Sequence, residues 1–403
     1  MPCQSMNINT QPDSSSRHRI GVICLTLGQP SETWLWRQIV GLRRHKPTVI
    51  TWNYKNPTSF PLQGIEWHRV AFPPTPYDDS GRWLHRFRTV PSGNFYGTTG
   101  AERRWLIELT GERRLRAFLC HFGWSALRMV PVALATGVPI IAHFHGVDIT
   151  ARLRNRWYRW SLKNSIKHFH ALVAVNDFQR DILVGLGAKK DAIHVIPCGV
   201  PVREFFPHHS KAKSPVRFLT VGRFVEKKAP LTTLRAFDRC IAAGGRAHLL
   251  MIGDGPLLPQ AKDFVSAHGL QRHVSFLGAL GSTDVLDFMR TSDAFLQHSV
   301  TAPNGDMEGW PVSIGEAAAC GLAVIATRHA GIPSQIVHGE TGYLVEEYDE
   351  LRMSNFMMAL IRDRELRLNM GAAARRFALE NFDHEVQIDT LEQVVANSIS
   401  SKY

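Results

Sequence analysis

Short β-branched runs alternate with stretches of helical spacing along almost the whole chain, and no other feature restricts the fold as strongly. Between residues 19 and 200, RIGVICLTLG, PTVITWN, LRAFLCHFG, VPIIAHFHG, ALVAVN and IHVIPCG read as strands. SETWLWRQIVGL, WSALRMVPVALATG and DFQRDILVGLG, lying between them, carry apolar residues at helical intervals. Strands separated by helices cannot pair as hairpins, so each crossover returns the chain to a parallel neighbour, and a parallel sheet is covered by helices on both faces. The rhythm restarts after the polar stretch PHHSKAKSP with VRFLTVGRF, AHLLMIGDG, HVSFLGAL, SDAFLQHS, LAVIATR and GYLVE. The expected fold class is therefore α/β, with two doubly wound parallel-sheet units in sequence. Residues 19–207 form the first and 208–380 the second, behind a polar, disordered tail at 1–18, and 381–403 reads as a terminal helix. Ligands of such sheets bind beyond the carboxyl ends of the strands, so two facing units make a cleft between them.

At 403 residues, 44% of them hydrophobic, the chain can bury two cores of ordinary size and is not a disordered protein. Its six cysteines are scattered with no C-x-x-C pair, which fits a reduced, cytoplasmic setting. The first eighteen residues lack an apolar core of the signal-peptide kind, and the longest apolar run, MVPVALATGVPIIAHF, is broken by two prolines and too short to span a bilayer. The net charge of +12 is uneven: residues 1–200 hold 26 Lys and Arg against 12 Asp and Glu, and the remainder 21 against 23. One half is thus built to meet something anionic. Nucleic acid, an acidic lipid surface and a phosphorylated substrate all satisfy that charge.

Several chemistries lack their sequence signatures. MIGDGPLL follows a strand, but Leu258 stands where a dinucleotide fingerprint has its third glycine, and there is no G-x-x-x-x-G-K-[ST] loop. The 19 histidines show no tight metal-ligand spacing, there is no Asp-x-Asp triplet, and no G-x-S-x-G elbow appears, so neither a metal-dependent mechanism nor an elbow hydrolase is expected. Phosphate chemistry by side chains and backbone is what remains. VGRFVEKKAP places Arg223 just past a strand, with Lys227 and Lys228 in the following loop, where a guanidinium fork and an ammonium can neutralise a diphosphate. In EGWPVSIGE two acids lie eight residues apart, which on a continuous helix would leave them about 80° apart and two turns distant, a poor geometry for sharing a proton. Gly309 and Pro311 put Glu308 in a loop instead, with a helix starting near Pro311 or Val312 and Glu316 in its early turns. Such a helix start attracts anions, and carboxylates beside a diphosphate are better aimed at neighbouring hydroxyls.

These residues together resemble the family 4 retaining glycosyltransferases of GT-B fold: the E-x7-E pair, the strand-end VGR with a lysine five residues on, His145-Gly146 and the IGDGP loop. From SETWLWRQI through HFG and FHGVDIT to SVTAPNGDMEGWPV the order is kept, and the last three of those stretches are similar to the exopolysaccharide branch of colanic-acid type. The resemblance implies two facing Rossmann-like domains, an acceptor domain first and a nucleotide-sugar domain second, with the terminal helix crossing back to the first. It implies that Arg223 and Lys228 hold the donor diphosphate, that Glu316 takes the ribose hydroxyls and Glu308 those of the donor sugar, and that His145 reaches the transferred sugar. Gly28 would approach the phosphates, while Gly253, Gly255 and the backbone at Leu277 line the nucleobase. Gly309, Trp310, Pro311 and Val312 complete the donor loop. The expected reaction moves a hexose with retention by front-face attack, needing no metal or cofactor beyond the nucleotide-diphosphate sugar itself; a double displacement through a carboxylate is the other route. This sequence departs from the family pattern at Ala229, at Trp310 and at Gln29, where glycine, a smaller apolar residue and a second glycine are usual. A sugar-nucleotide epimerase and a non-catalytic nucleotide-sugar-binding assembly protein are the competing readings.

ARLRNRWYRWSLKNSIKH is the most basic helical segment. On a continuous helix Arg152, Arg156, Arg159, Lys163 and Lys167 fall within about 80° beside Leu153, Trp157 and Trp160. Cations next to amphipathic aromatics suit an anionic membrane interface, and Arg103, Arg104, Arg113, Arg114 and Arg116 add a second cluster. No nucleic-acid-binding module accompanies them. The expectation is a peripheral enzyme at the inner face of the cell membrane, acting on a glycan or lipid-diphosphate-linked acceptor. His121 is expected only to support a turn.

Overall fold

The structure, a computed structural model, describes residues 17–72, 93–207 and 215–401. Most of the tail expected at 1–18 and most of the PHHSKAKSP boundary lie outside the described residues.

Thirteen strands form two wholly parallel sheets among the described residues. The first takes β1 (Arg19–Leu27), β2 (Lys46–Tyr54), β3 (Glu66–Arg69), β4 (Ala117–His121), β5 (Ile140–His143), β6 (Ala171–Ala174) and β7 (Ile193–Val195), in the spatial order β3-β2-β1-β4-β5-β6-β7. The second takes β8 (Val216–Val221), β9 (Ala247–Ile252), β10 (Val274–Gly278), β11 (Ala294–Gln297), β12 (Ala323–Thr327) and β13 (Gly342–Val345), in the order β10-β9-β8-β11-β12-β13. In each sheet the winding reverses once, between β1 and β4 and between β8 and β11. A crevice opens at such reversal points because the flanking connections leave to opposite faces.

The central strands are mostly apolar and buried on both sides, and in β4 and β12 every residue is buried. Strand β3 was not foreseen. Its sequence EWHR alternates half-buried and exposed positions at a sheet edge, and Glu66 is neutralised there by Arg19 and Arg113. Helices α1 (Thr33–Gly41), α2 (Gly100–Glu112), α3 (Gly123–Thr136), α4 (Arg156–Ser165) and α5 (Asp177–Gly185) flank the first sheet. Pro131 inside α3 cannot donate to the carbonyl of Leu127, and the Asn94 side-chain amide takes that acceptor instead at 2.6 Å. The second sheet carries α6 (Pro230–Ala242), α7 (Leu258–Ala267), α8 (Ser282–Thr291), α9 (Val312–Ala319), α10 (Glu350–Arg362) and α11 (Arg364–Asn381).

The last helix, α12 (His384–Ser400), buries Ile388, Leu391, Val394, Val395 and Ile399 against the first sheet, not the second. Its buried Glu392 accepts backbone N–H bonds from Arg43, Arg44 and His45, which fixes it to the turn between α1 and β2. The chain crosses back beside residues 199–202, where Val200 N–H donates to the Phe382 carbonyl at 2.7 Å. A side chain at Gly199 would stand 2.1 Å from the His384 Cα, so only glycine fits that crossing.

Candidate active site

Both winding reversals face the same cleft, and the residues singled out in the sequence gather there from opposite sides. On the second sheet the turn after β8 brings Arg223, exposed, and Lys228, largely buried, to one rim. A small pocket lies behind them, bounded by Gly222, Pro230, Gln297 and His298. Lys228 pairs with Glu308 (Nζ to Oε1, 3.0 Å) and Lys227 with Asp306 (3.1 Å). Burial would push the Glu308 carboxyl up, but Lys228 and Lys227 outweigh it and hold it below the ordinary range as a carboxylate. Ala229, standing where the family pattern has glycine, adopts left-handed backbone (φ 37°, ψ 55°) and caps α6.

Glycines of the neighbouring turns have a cause other than ligand approach. A Cβ on Gly253 would sit 1.9 Å from the carbonyl oxygen of Gly222, and one on Gly255 2.6 Å from that of Phe224. The two strand-end turns are packed backbone to backbone. Gly253 N–H also donates to the Gly278 carbonyl at 2.7 Å, and Leu277 beside it is half-buried.

The segment from Glu308 to Glu316 has the geometry its prolines and glycines predict. Glu308 lies in the loop, Pro311 is the N-cap of α9, Val312 is its first residue and Glu316 lies in the second turn. Two networks outside the expected set hold these acids. The Glu308 backbone N–H donates to His329 Nε2 at 3.2 Å, and His329 Nδ1 meets Glu347 at 2.6 Å, so a carboxylate in the turn just after β13 orients the loop through an imidazole. Glu316 receives Arg37 Nη1 from α1 of the other sheet at 3.1 Å. Burial raises the Glu316 carboxyl, opposed by Arg37. Trp310 is not a pocket wall: it is 5% exposed, sits edge-on to Phe382 at 5.1 Å and packs against Gly315, beneath the site in the core shared with the crossover.

The first sheet meets this loop directly. The Gly309 backbone passes so close to His145 that a Cβ would lie 1.8 Å from the His145 carbonyl oxygen, and Asn176, the N-cap of α5, bonds the Gly309 carbonyl. His145 packs at a tilt against Trp34 of α1, with ring centres 4.1 Å apart and planes 33° apart. Buried Asp148 shapes the His145-Gly146 turn by accepting from the backbone N–H groups of Gly123, His145 and Gly146 at 2.9 to 3.1 Å. Gly28 (φ 84°) is demanded by the Lys55 carbonyl, 1.8 Å from where its Cβ would lie. Of that first loop it is Glu32, a residue without a motif to mark it in the sequence, whose carboxyl is influenced by Arg223. Burial pushes Glu32 up to about 7, with Arg223 and Lys55 opposing.

His121 is not a turn support. It ends β4 fully buried, and its Nδ1 lies 3.2 Å from His145 Nε2. His143 completes a cluster in which a ring nitrogen of each histidine lies within 4.8 Å of those of the other two. Spacing along the sequence hid the group, because two members form H-x-H on one strand and the third comes from its neighbour. Burial keeps all three imidazoles neutral: His121 is pushed down to about 3, and His143 and His145 well below the ordinary histidine range.

The basic segment is not one continuous helix. Residues Ala151–Arg154 form a 3-10 turn, Asn155 caps α4 by accepting from Trp157 and Tyr158 N–H, and a second 3-10 turn follows over Ile166–His168. Arg152 is consequently half-buried, away from the exposed Arg156, Arg159, Lys163 and Lys167. Trp160 is 40% exposed beside them, whereas Trp157 packs edge-on to Phe95. Arg103, Arg104 and Arg114 are exposed, but Arg113 is engaged by Glu66 and Arg116 is half-buried. Among the described residues no helix is long and apolar enough to cross a membrane.

Two facing parallel-sheet domains with a cation-and-carboxylate cleft between them define a GT-B architecture, and the solved structures agree. Anabaena HepE in complex with UDP and glucose superposes with a TM-score of 0.76 at 15% identity, over 94% of this chain and all of the other. The apo lipopolysaccharide outer core galactosyltransferase WaaB gives 0.69 at 16% identity, over 96% of this chain and all of the other. Residues 31–204 match the family described as Glycosyltransferase Family 4, and residues 202–377 that described as Glycosyl transferases group 1. The chain belongs to this family of glycosyltransferases. It is 27% identical over 330 residues to the colanic acid biosynthesis glycosyltransferase WcaL of Escherichia coli K12, covering 79% of this chain and 80% of the relative. To the amylovoran biosynthesis glycosyltransferase AmsK of Erwinia amylovora it is 27% identical over 284 residues, 69% of each.

Proposed function

We propose that the protein moves a hexose, with retention, from a nucleotide-diphosphate sugar to a lipid-diphosphate-linked saccharide or another glycan acceptor in exopolysaccharide or cell-surface polysaccharide assembly. The observation that carries this reading is the cleft rim where Arg223, Lys228 and the start of α9 converge on one space with Glu308 and Glu316 beside it. The names of WcaL and AmsK support the process, and the UDP and glucose bound by HepE support the donor class. Arg223 and Lys228 take the diphosphate, with charge stabilisation concentrated where the leaving group becomes more negative. Glu316 takes ribose hydroxyls and Glu308 sugar hydroxyls. The bond from the anomeric carbon to the phosphate oxygen breaks, the acceptor oxygen bonds to that carbon on the same face, and the acceptor proton passes to the departing phosphate oxygen. Glu308, already tied to Lys228, is suited to gripping hydroxyls and not to covalent attack. Phosphate neutralisation by side chains leaves this step no need for a metal.

Association with an anionic inner-membrane surface is supported by the layer α2, α3 and α4. Exposed Arg103 and Arg104 on α2, exposed Leu134 on α3, and Arg156, Arg159, Trp160 and Lys163 on α4 belong to helices packed side by side against one sheet face. Basic clusters of this size near apolar side chains add roughly 1 kcal/mol per cation at an acidic leaflet.

The deciding experiment is a donor screen measuring nucleotide release from UDP- and GDP-sugars with membrane lipid extract as acceptor, followed by NMR of the product's anomeric configuration. Acceptor-dependent release with a retained anomer is expected. Release from no donor, or epimerisation without an acceptor, would refute transfer.

A further inference from the structure

We propose that His121, His143 and His145 form a binding site for one divalent transition-metal ion of the zinc, cobalt or nickel type, at the floor of the first domain's side of the cleft. The proposal stands on the histidine geometry and does not depend on the donor or acceptor reading above.

Backbone register makes the convergence unavoidable. His121 and His143 are opposite one another in the β4–β5 ladder, so their side chains leave the sheet on the same face. His145, two residues further along the second chain, rejoins them, with ring centres 4.2 Å from His143 and 5.4 Å from His121. One ring nitrogen from each lies within 4.8 Å of those of the other two. Metal–nitrogen bonds of about 2.05 Å at tetrahedral angles place their nitrogens about 3.3 Å apart. His121 Nδ1 and His145 Nε2 share a hydrogen bond at 3.2 Å, and an ion bound between them would take the place of the shared proton.

Polar accounting points the same way. His121 Nε2, both nitrogens of His143 and His145 Nδ1 are buried with no hydrogen-bond partner, an unusual concentration of unmet polar atoms. His143 is the ring with neither nitrogen partnered, which costs free energy in a buried site, and coordination by one ion would satisfy one of its nitrogens directly. Neutral imidazole nitrogen suits the borderline ions named and not magnesium or calcium, which take oxygen ligands. Trp34 and Phe122 pack against His145, giving an apolar wall, and the buried Asp148 carboxylate in the same turn supplies negative charge nearby. Three protein ligands leave a fourth position for water or an oxygen ligand entering past His145, which is the partly exposed member of the cluster.

The test uses the full chain freed of any affinity tag and dialysed against a chelator. Titration with Co2+ should give one ion per chain with the intense visible absorption of tetrahedral cobalt, displaced by Zn2+. His121→Ala and His143→Gln should each weaken binding by 100-fold or more, while far-UV circular dichroism and the melting temperature of the metal-free proteins verify that they remain folded. Should His143→Gln not fold, His121→Ala and the wild type decide alone. Substoichiometric or octahedral binding by the wild type overturns the site. So does binding that survives His121→Ala in a folded protein, since the ion would then be held by histidines elsewhere.

Discussion

Replacing Lys228 by methionine, alone and together with Glu308→Gln, isolates the ion pair at the centre of the proposed donor site. The pair is 3.0 Å apart, with side chains 18% and 8% exposed. At an effective dielectric near 20 its Coulomb attraction is about 5 to 6 kcal/mol, most of it offset by the cost of taking both ions out of water. What a single substitution exposes is the penalty of the partner left behind, about 3 kcal/mol for a buried charge. Lys228→Met should approach the lower end, about 2 kcal/mol, because Lys227 still acts on the Glu308 carboxylate. Glu308→Gln should cost about 3 kcal/mol, since Lys228 then keeps only like-charged neighbours in Lys227 and Arg223. The double variant strands neither charge and should lose only about 1 kcal/mol instead of the sum of about 5, a coupling of roughly 4 kcal/mol. Urea denaturation of the full chain reads the stabilities as midpoint shifts. Nucleotide release with a saturating donor reads the chemistry, where all three variants should fall by about two orders of magnitude or more. Activity therefore stays low in the double variant although stability partly returns. Additive stabilities, with a coupling below about 0.5 kcal/mol, would refute the pairing. Undiminished transfer by Lys228→Met would refute its role at the phosphate.

Arg37→Met strands Glu316 in the interface between the domains. It should destabilise by roughly 3 kcal/mol and raise the donor KM, as read by urea denaturation and initial rates; an unchanged midpoint would remove the inter-domain bond. Ala229→Gly relieves left-handed backbone costing about 1 kcal/mol and gives back part in unfolded-chain entropy, so a net gain of about 0.5 kcal/mol is expected from the same assay, against a loss of about 1 in an ordinary helix interior. Glu32, pushed up to about 7, is a neutral acid below that pH and a carboxylate above it. Its folded pKa exceeds the unfolded one, so this group's contribution to stability falls as pH rises from about 4.5 to 7, and the donor KM should climb between pH 6 and 8 as the charge appears opposite Arg223. Glu32→Gln should flatten that KM profile. Vesicle co-sedimentation with anionic lipid should be salt-sensitive and weakened by Lys163→Glu combined with Trp160→Ala.

The strands of the two sheets were legible because parallel strands buried on both faces read as unbroken apolar runs, as in RIGVICLTL and AVIAT. EWHR escaped because an edge strand has no such signal: its half-buried positions are the polar Glu66 and His68, its one apolar residue, Trp67, is exposed, and its single acid is matched by arginines 47 residues away in either direction. The loop-to-helix reading of EGWPVSIGE succeeded for a local reason, the fitness of Pro311 for a helix start, although Gly309 itself is required by the distant His145 carbonyl. The same local logic failed over ARLRNRWYRW, where a periodic pattern hid Asn155, whose side chain starts a new helix and puts Arg152 out of phase. What sequence periodicity cannot contain is register between strands and contact between domains. The histidine cluster depends on the pairing of β4 with β5, and Arg37 meets Glu316 across 279 residues.

Those distant partners alter how donor binding should be pictured. In the unliganded cleft Lys228 is paired with Glu308, Lys227 with Asp306 and Arg37 with Glu316. On the proposed donor reading, a diphosphate entering this space meets the exposed Arg223 directly but competes with carboxylates for the lysines, and each exchanged carboxylate becomes available for a hydroxyl of the same donor. Glu308 released by Lys228 can grip the sugar only when the phosphate has taken its place, and Glu316 can turn to the ribose only as Arg37 shares its charge. Affinity is thereby reduced, because each new bond replaces an old one. Selectivity is increased, because a nucleotide without its sugar, or a sugar phosphate without its nucleoside, breaks ion pairs without filling the acids it frees. An isolated buried carboxylate is costly, so partial donors are penalised by the protein's own charges. The eight-residue spacing from Glu308 to Glu316 sets the span over which that test is made, and the contact of Gly309 with His145 keeps it in register with the first domain.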